Sequence, residues 1–410
     1  MAKIIMFKGG VETLTYFSQE LAEYFRAKGH DIFWYDLEQS MHSAKMVKKF
    51  IKYQETIVLT FNFLGLSGEK GCYDEAAGYI WEQYDIPCYN IVVDHPLYYA
   101  ERYEQLPPKY YQIAIDRKHL QYMKDYYSDI TTELFLPLAG NRIVSEPLSF
   151  EERFGEMEEW EKKRSITIMF AGNYRTPEEY EPYITRINDE YTAFYRGIIS
   201  ELLHHPERSL EEVAKRHCVR EMGQLSIEEW RICFQHMNFI DLYLRFTVRK
   251  RAIEAMLKAG FTVDVYGHGY EEFQYDGYDE NARKRLRIHG TLNTIGCLNA
   301  MEQSKISLNV MPWFKDGAHD RIFSSMLQGS VSVTDDSIYL REQLTDGAEV
   351  IFYDLNQMDK MTERVANLLG RPDKMYNMAK TAYEYALNNH TWQNRAKVIE
   401  QYIKDTGFTL

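Results

Sequence analysis

No apolar run in this chain reaches the roughly 18 residues that a membrane-crossing helix needs, so no spanning helix is expected. The N-terminal apolar run in MAKIIMFKGG is too short and too β-branched for a signal peptide. A cytoplasmic location is therefore expected, with peripheral membrane association left open. Cysteine is scarce: Cys72, Cys88, Cys218, Cys233 and Cys297 form no CxxC pair, and no His pair stands at zinc spacing beside them. That excludes a disulfide framework and a zinc module as expectations and leaves reduced thiols. Positive charge is in deficit. A formal net charge of −13 argues against sequence-independent nucleic-acid binding, although a local basic site for a small anion stays possible. The chain also lacks GxGxxG. Gly9-Gly10 after the first apolar run comes nearest, but no acidic residue about twenty positions on completes a dinucleotide fingerprint. No solenoid-period repeat or low-complexity tract is present.

What is there is a regular alternation of short apolar runs and helical patterns. The 410 residues suggest two domains. Over residues 1–150, strands are expected near Ile4–Phe7, Asp31–Tyr35, Thr56–Phe61, Cys88–Val93, Ile113–Ile115 and Glu133–Leu136, with helices between them, one over Tyr73–Tyr84. Such alternation implies a mostly parallel sheet covered by helices on both faces. Residues from Pro137 to about Arg164 read as a connection whose acidic run is a solvated helix. A second α/β domain is expected over 165–390. Its rhythm is interrupted by a helical insertion over 176–246 and resumes with a helix at Arg249–Ala259. An amphipathic helix at 391–410 is free to pack back on the first domain.

The densest chemistry lies in Ser307–Asp354, a strand, polar loop, helix, glycine turn and second strand. In α/β layers ligands sit at strand carboxyl ends and helix N-termini. The loop Trp313–Arg321 is such an end. Arg321 could grip a phosphate bidentately and Asp316 could accept from sugar hydroxyls; an exposed loop capped by Asp320 explains the pattern equally well. Gly172-Asn173 and Gly267-His268-Gly269 close two other strands and fit either a phosphate approach or plain turns. In the first half, Asp94-His95-Pro96 offers a histidine at a strand end with a neighbouring carboxylate, a general-base arrangement or a structural histidine.

The block SLNVMPWFKDGAHDRIFSSMLQGSVSVTDD followed by YLREQLTDGAEVIFYD resembles the C-terminal nucleotide-sugar domain of GT-B glycosyltransferases, and more narrowly the CgeB-like (spore-protein-like, group 1) bacterial group. IMFAGNY, VDVYGHGYE, RIHG and HTWQNRA support it as short matches. The resemblance covers most of 165–405 apart from the insertion and is fainter over 1–145.

The resemblance implies two Rossmann-like domains facing across a cleft, donor on the C-terminal one and acceptor on the N-terminal one. It also implies transfer without a bound metal or cofactor, with a nucleotide diphosphate-sugar, first a UDP-sugar, as substrate. The acceptor is a hydroxyl group on a protein, glycan or other surface component. On that reading Gly172, Asn173, Tyr266, Gly267, Asp316, Gly317, His319, Asp320, Arg321, Ser324, Asp335 and Asp336 hold the donor. Asp94 and His95 serve catalysis, and Gly9 and Gly10 lie near acceptor or phosphates. Many retaining relatives carry two glutamates with seven residues between them. Here Asp316 and Ser324 stand in those places, and Ser324 cannot grip two ribose hydroxyls as a carboxylate does. A non-catalytic nucleotide-sugar or glycan-binding protein on the same fold is the alternative, and an NAD-type epimerase-like enzyme the third.

Overall fold

The computed structural model describes residues 1–275 and 280–410. Its first unit comprises Met1–Ala139 and His390–Leu410. Runs rich in β-branched and aromatic residues make the strands β1 (Lys3–Lys8), β2 (Asp31–Asp36), β3 (Thr56–Phe61), the two-residue β4 (Tyr73–Asp74) and β5 (Gly78–Tyr79), β6 (Cys88–Val92), β7 (Tyr110–Ala114) and β8 (Thr132–Phe135). β3 and β6 are buried along their whole length, as central parallel strands are. The six long strands form one parallel sheet in the order β2-β1-β3-β6-β7-β8. Strand order reverses between β1 and β3, and that is where a crevice opens beyond the strand ends in such sheets.

The expected helix over Tyr73–Tyr84 is instead the β4–β5 hairpin and a one-turn helix, Ile80–Gln83. The Asp74 carboxylate accepts from the Ala76 and Ala77 amides at 3.0 Å, and Gly78 takes a φ of 71°, so side-chain capping wins over helix propagation. Trp81 then donates to the Gly65 carbonyl at 2.8 Å and anchors the core beside Phe7.

Helix Glu12–Ala27 buries Leu14, Phe17, Leu21 and Phe25 on one stripe. Helix Trp392–Asp405, capped by Thr391, packs on it. Trp392 sits 4.6 Å from Phe17 and 5.9 Å from Phe61, ring to ring. Arg395 donates to the carbonyls of Pro137 at 2.6 Å and Leu138 at 3.2 Å and meets His390 Nδ1 at 2.8 Å. One buried guanidinium thus ties the chain where it leaves this unit to the place where it returns.

The second unit is Gly140–Asn389. Its strands are β9 (Ile166–Ala171), β10 (Val263–Tyr266), β11 (Leu286–Ile288), β12 (Ser304–Asn309), β13 (Val331–Asp335) and β14 (Val350–Tyr353). They form a parallel sheet ordered β11-β10-β9-β12-β13-β14, which reverses between β9 and β12. Between β9 and β10 come helices Glu181–Thr185, Asp189–His204, Leu210–Met222 and Ile227–Gln235, then the 21-residue helix Asn238–Lys258. The insertion therefore has no separate end near residue 246. No Gly or Pro interrupts FIDLYLRFTVRKRAIEAMLK, so the helix runs through.

Residues 140–165 pack into this unit rather than forming a solvated connection. Helices Phe150–Phe154 and Met157–Lys162 bury Phe150, Phe154 and Trp160. The buried Arg164 lies over the Trp160 ring, 4.4 Å away, and donates to the Gln328 and Gly329 carbonyls at 2.9 and 2.7 Å. The acidic run had hidden an apolar stripe at every third or fourth position.

Candidate functional site

The site is built where the second sheet reverses. β9 ends at Ala171 and turns through Gly172-Asn173; β10 ends at Tyr266 and turns through Gly267. The Gly172 amide donates to Tyr266 O at 2.8 Å, Tyr174 N to His268 O at 2.8 Å, and His268 N to Asn173 Oδ1 at 3.2 Å. The two turns nearly touch. A Cβ on Gly267, at φ 150°, would lie 2.4 Å from the Gly172 carbonyl oxygen, and one on Gly172, at φ 151°, would lie 2.7 Å from Arg321 Nη1. The space these glycines leave is taken by backbone and by a guanidinium.

Arg321 lies in the first turn of helix Asp320–Leu327. It donates to the Ala171 carbonyl, and its guanidinium stands 5.8 Å from the Phe170 ring. Arg249, from the long helix, donates to the Asn173 carbonyl and lies 5.3 Å from the same ring. Arg245, one turn earlier, packs at 4.0 Å on the Trp313 indole and pairs with Asp241 at 3.0 Å. Burial lowers the Arg249 pKa to about 9, with Arg321 and Arg245 adding to the shift against a partial offset from Tyr270. Burial also lowers Arg321, with Asp320 and Tyr270 opposing and Arg245 reinforcing. Two guanidinium groups, Arg249 and Arg321, thus meet at this turn, with the Asp241-paired Arg245 as a third positive charge nearby, a donor set of the kind that binds phosphate. Arg245 and Arg249 were not among the sequence candidates. In RFTVRKRA they look like a solvated charge run, and the one usable signal was their i,i+4 spacing.

His319 precedes the helix as its N-cap, with Nδ1 2.7 Å from the Asp320 carboxylate. Burial and Arg321 hold the imidazole below its usual pKa. Burial alone would raise Asp320, but His319 and Arg321 pull it down. On the other side of the turns, Tyr266 stacks on His289 with ring centroids 4.6 Å apart and 15° between planes. His289 Nε2 is 2.6 Å from Oδ1 of Asp264, which is 3% exposed.

The remaining donor candidates lie elsewhere in the unit. Ser324 is 1% exposed and its hydroxyl accepts the Asn141 amide at 2.9 Å, so it secures residues 140–142 to this helix. Gly317 accepts from Ser337 Oγ at 2.6 Å, and Asp316 is buried in the same loop. Asp336 is exposed and pairs with Arg341 at 2.6 Å. Asp335 lines a separate cavity of about 820 Å³ over β13 and β14, together with Lys315, Tyr353 and Glu207 of the insertion. The structure thus brings Gly172, Asn173, Tyr266, Gly267, His319, Asp320 and Arg321 together. Asp335 and Asp336 stand apart from that group, whereas Ser324, one turn after Asp320, is joined to it through Asn141, whose side chain donates to the Asp320 carboxylate at 3.3 Å.

Asp335 carries a pH signature. Its carboxylate accepts the Met311 amide at 2.8 Å, yet burial raises its pKa to about 7. Below about pH 4 both folded and unfolded chains hold the proton. Between pH 4 and 7 only the folded chain keeps it, so stability falls as pH rises, and above pH 7 the cost is constant. The full cost is about 4 kcal/mol at 1.36 kcal/mol per pH unit. Asp335→Asn keeps the acceptor for Met311 and is expected to gain on the order of 2 kcal/mol above pH 7, since its amide must still be desolvated. Denaturant titrations of both proteins at pH 4 and 8 check this; an equal gain at both would show that ionisation is not the cause.

In the first unit, Gly9 turns at φ 85° against Asp36 and Glu38, and Gly10 packs on Leu64. Asp94 is half-buried and accepts from Asn62 Nδ2 at 3.1 Å and Tyr99 Oη at 3.0 Å. Asn62 and Phe63 both adopt positive φ, 43° and 62°, where only over-determined packing holds residues other than glycine. His95 is buried against His119 and Tyr122, and its Nδ1 accepts the Leu97 amide at 3.1 Å. In the neutral ring that leaves Nε2 as the N–H, a donor rather than a base. The expected general base His95 thus has its basic nitrogen engaged in capping a turn.

Among the described residues, no group of three or more His, Cys, Asp or Glu side chains is placed to hold a metal ion, and no helix is long and apolar enough to cross a membrane.

Two Rossmann-like parallel-sheet units make this the GT-B glycosyltransferase architecture. Residues 249–401, which include Arg249 and Arg321, match the Glycosyl transferase-like family model. An α-glucosyltransferase solved with UDP-glucose and abasic-site DNA is similar, with TM-score 0.57 and 12% identity over 98% of this chain and 99% of that one. Sucrose-phosphate synthase from Thermosynechococcus elongatus gives 0.53 and 10% over 99% of each chain. Anabaena HepE in complex with UDP gives 0.52 and 9% over 99% and 100%. No curated protein matches the chain in sequence.

Proposed function

We propose that this protein transfers a sugar from a nucleotide diphosphate-sugar, with a UDP-sugar as the first donor to test, to a hydroxyl of a glycan, protein or other surface component. The observation that carries the reading is the convergence of Arg249 and Arg321 on the Gly172–Asn173 turn, with Arg245 as a third positive charge nearby. That turn stands where nucleotides bind in a sheet of this order. UDP and UDP-glucose in HepE structures, and UDP-glucose in the α-glucosyltransferase, support the donor class. The CgeB-like group is the family assignment we favour.

In this mechanism the acceptor oxygen attacks the anomeric carbon as the bond from that carbon to the diphosphate oxygen breaks. Negative charge grows on the departing diphosphate, and guanidinium groups held in place before the reaction stabilise it. Those three side chains supply the charge that a metal supplies elsewhere, so turnover in EDTA should match turnover without it. Asp94 takes the acceptor proton, because its carboxylate is half-buried and oriented by Asn62 and Tyr99, whereas His95 is buried and capped. Tyr266 and His289 offer a flat face to the base, and Gly317 with Asp316 lie on the loop that reaches the sugar.

The test is a thermal-shift series with UDP, UDP-glucose and other nucleotide sugars, followed by turnover of radiolabelled donor. A ligand at 100 times its Kd adds about 2.7 kcal/mol of stability. Failure of every nucleotide at millimolar concentration to shift melting overturns the reading. Donor binding without transfer or hydrolysis, across acceptor mixtures, selects the second reading, a non-catalytic nucleotide-sugar-binding protein. The burial of Ser324 beneath Asn141 favours that alternative.

A further inference from the structure

Two of the five cysteines, far apart in function from the donor arginines, meet inside the insertion. Cys218 on helix Leu210–Met222 and Cys233 on helix Ile227–Gln235 have their sulfurs 3.5 Å apart and are not bonded. Cys218 is fully buried and Cys233 is partly exposed, so a solution oxidant can reach one sulfur of the pair and the other waits behind it. The sulfurs need to close by roughly 1.5 Å to reach the 2.05 Å of a disulfide, a change within reach of small rotamer movements.

We propose that Cys218 and Cys233 form a reversible dithiol switch that staples the two helices when a glutathione-type disulfide oxidises it. The Cys233 thiolate attacks one sulfur of the oxidant, forming a mixed disulfide and releasing one thiolate. The Cys218 thiolate then attacks the Cys233 sulfur, the protein disulfide forms, and the second thiolate leaves. The cysteines lose two electrons, the oxidant is reduced to two thiols, and the two cysteine protons pass to those thiols. The hydrogen bond from Cys218 holds the Cys233 thiol below its usual pKa, which favours the first step at the accessible sulfur. Disulfides in reducing compartments are typically of this transient, sensing kind.

The staple has a route to the rest of the unit. Helix Leu210–Met222, which carries Cys218, packs on helix Asp189–His204, and Tyr195 of the latter packs edge-on at 5.2 Å against Phe239 in the first turn of helix Asn238–Lys258. That helix carries Arg245 and Arg249. Closure of a 16-residue loop, from Cys218 to Cys233, should therefore stiffen both the insertion and the start of this helix.

The test uses the full chain with oxidised glutathione and then with dithiothreitol. Expected are a peptide pair linking residues 218 and 233, a melting temperature raised by roughly 3–10 °C, slower hydrogen exchange over 210–245, and full reversal on reduction. Cys218→Ser should keep glutathione on Cys233, whereas Cys233→Ser should take up none at Cys218. A glutathione adduct on Cys233 of the unsubstituted protein that never resolves overturns the proposal. So does a linked pair that leaves melting and exchange unchanged. Neither readout depends on donor binding, so failure here and failure of the glycosyltransferase reading are distinct results.

Discussion

Arg249→Met is expected to lower affinity for UDP or UDP-glucose by roughly 10- to 150-fold, the loss of one charge-assisted phosphate contact of about 1.5–3 kcal/mol, while leaving the ligand-free fold about as stable as before. Arg249 is 5% exposed and lies beside two like charges, with its pKa depressed to about 9. Removing its charge relieves burial and repulsion. Methionine keeps the contacts with Phe170 and Phe246 but gives up the bond to the Asn173 carbonyl, which costs about 1 kcal/mol. The two terms roughly offset in the free protein, whereas in the complex only the loss remains. Isothermal titration and denaturant unfolding of the same variant separate the roles. Affinity intact with stability down by 3 kcal/mol would make Arg249 a structural residue, and the diphosphate site would have to be sought elsewhere.

Trp392→Ala should destabilise the first unit by about 3–5 kcal/mol, the range for deleting a large buried aromatic side chain. The indole is 1% exposed and fills the space between Phe17 and Phe61. Trp392 opens helix Trp392–Asp405, whose other large buried anchors, Ile399, Tyr402 and Ile403, lie toward its far end, so the start of the helix should loosen on helix Glu12–Ala27 and limited proteolysis after His390 should speed up. Trp392→Phe should recover about half of the loss by restoring aromatic contacts with a smaller ring. Denaturant unfolding measures all three proteins. A cost below 1 kcal/mol for alanine would mean the site collapses around the smaller side chain.

The strands of both sheets were legible because central parallel strands are short, apolar and bounded by Gly, Asn or Pro; Thr56–Phe61 is read to the residue. The β4–β5 hairpin was not, because Tyr73–Tyr84 carries apolar residues at helical spacing and only the Asp74 side chain, choosing the Ala76 and Ala77 amides, breaks the helix. Trp160 was concealed by its acidic neighbours in the same way that Arg249 was concealed by its basic ones. A charged sequence context says little about which single side chain turns inward.

The site shows the same division. Gly172, Asn173, Gly267 and Arg321 were readable because each stands at a strand end or helix start, a position fixed by local pattern. Ser324 and Asp335 were readable as positions but not as environments. One is committed to a backbone amide beside it in space and 183 residues away in sequence, the other to a cavity shared with the insertion. The sequence by itself determined the α/β alternation, the strand ends and the presence of a phosphate-suited loop, since these follow from periodicity and turn chemistry over a few residues. Only the tertiary structure decided that Arg249 and Arg321, from two helices, converge on one glycine turn, and that His95 caps a turn while Asp94 is held by Asn62 and Tyr99. Burial, like-charge proximity and hydrogen-bond partners come from residues that the sequence keeps far apart, 150 positions in the case of Ala171 and Arg321.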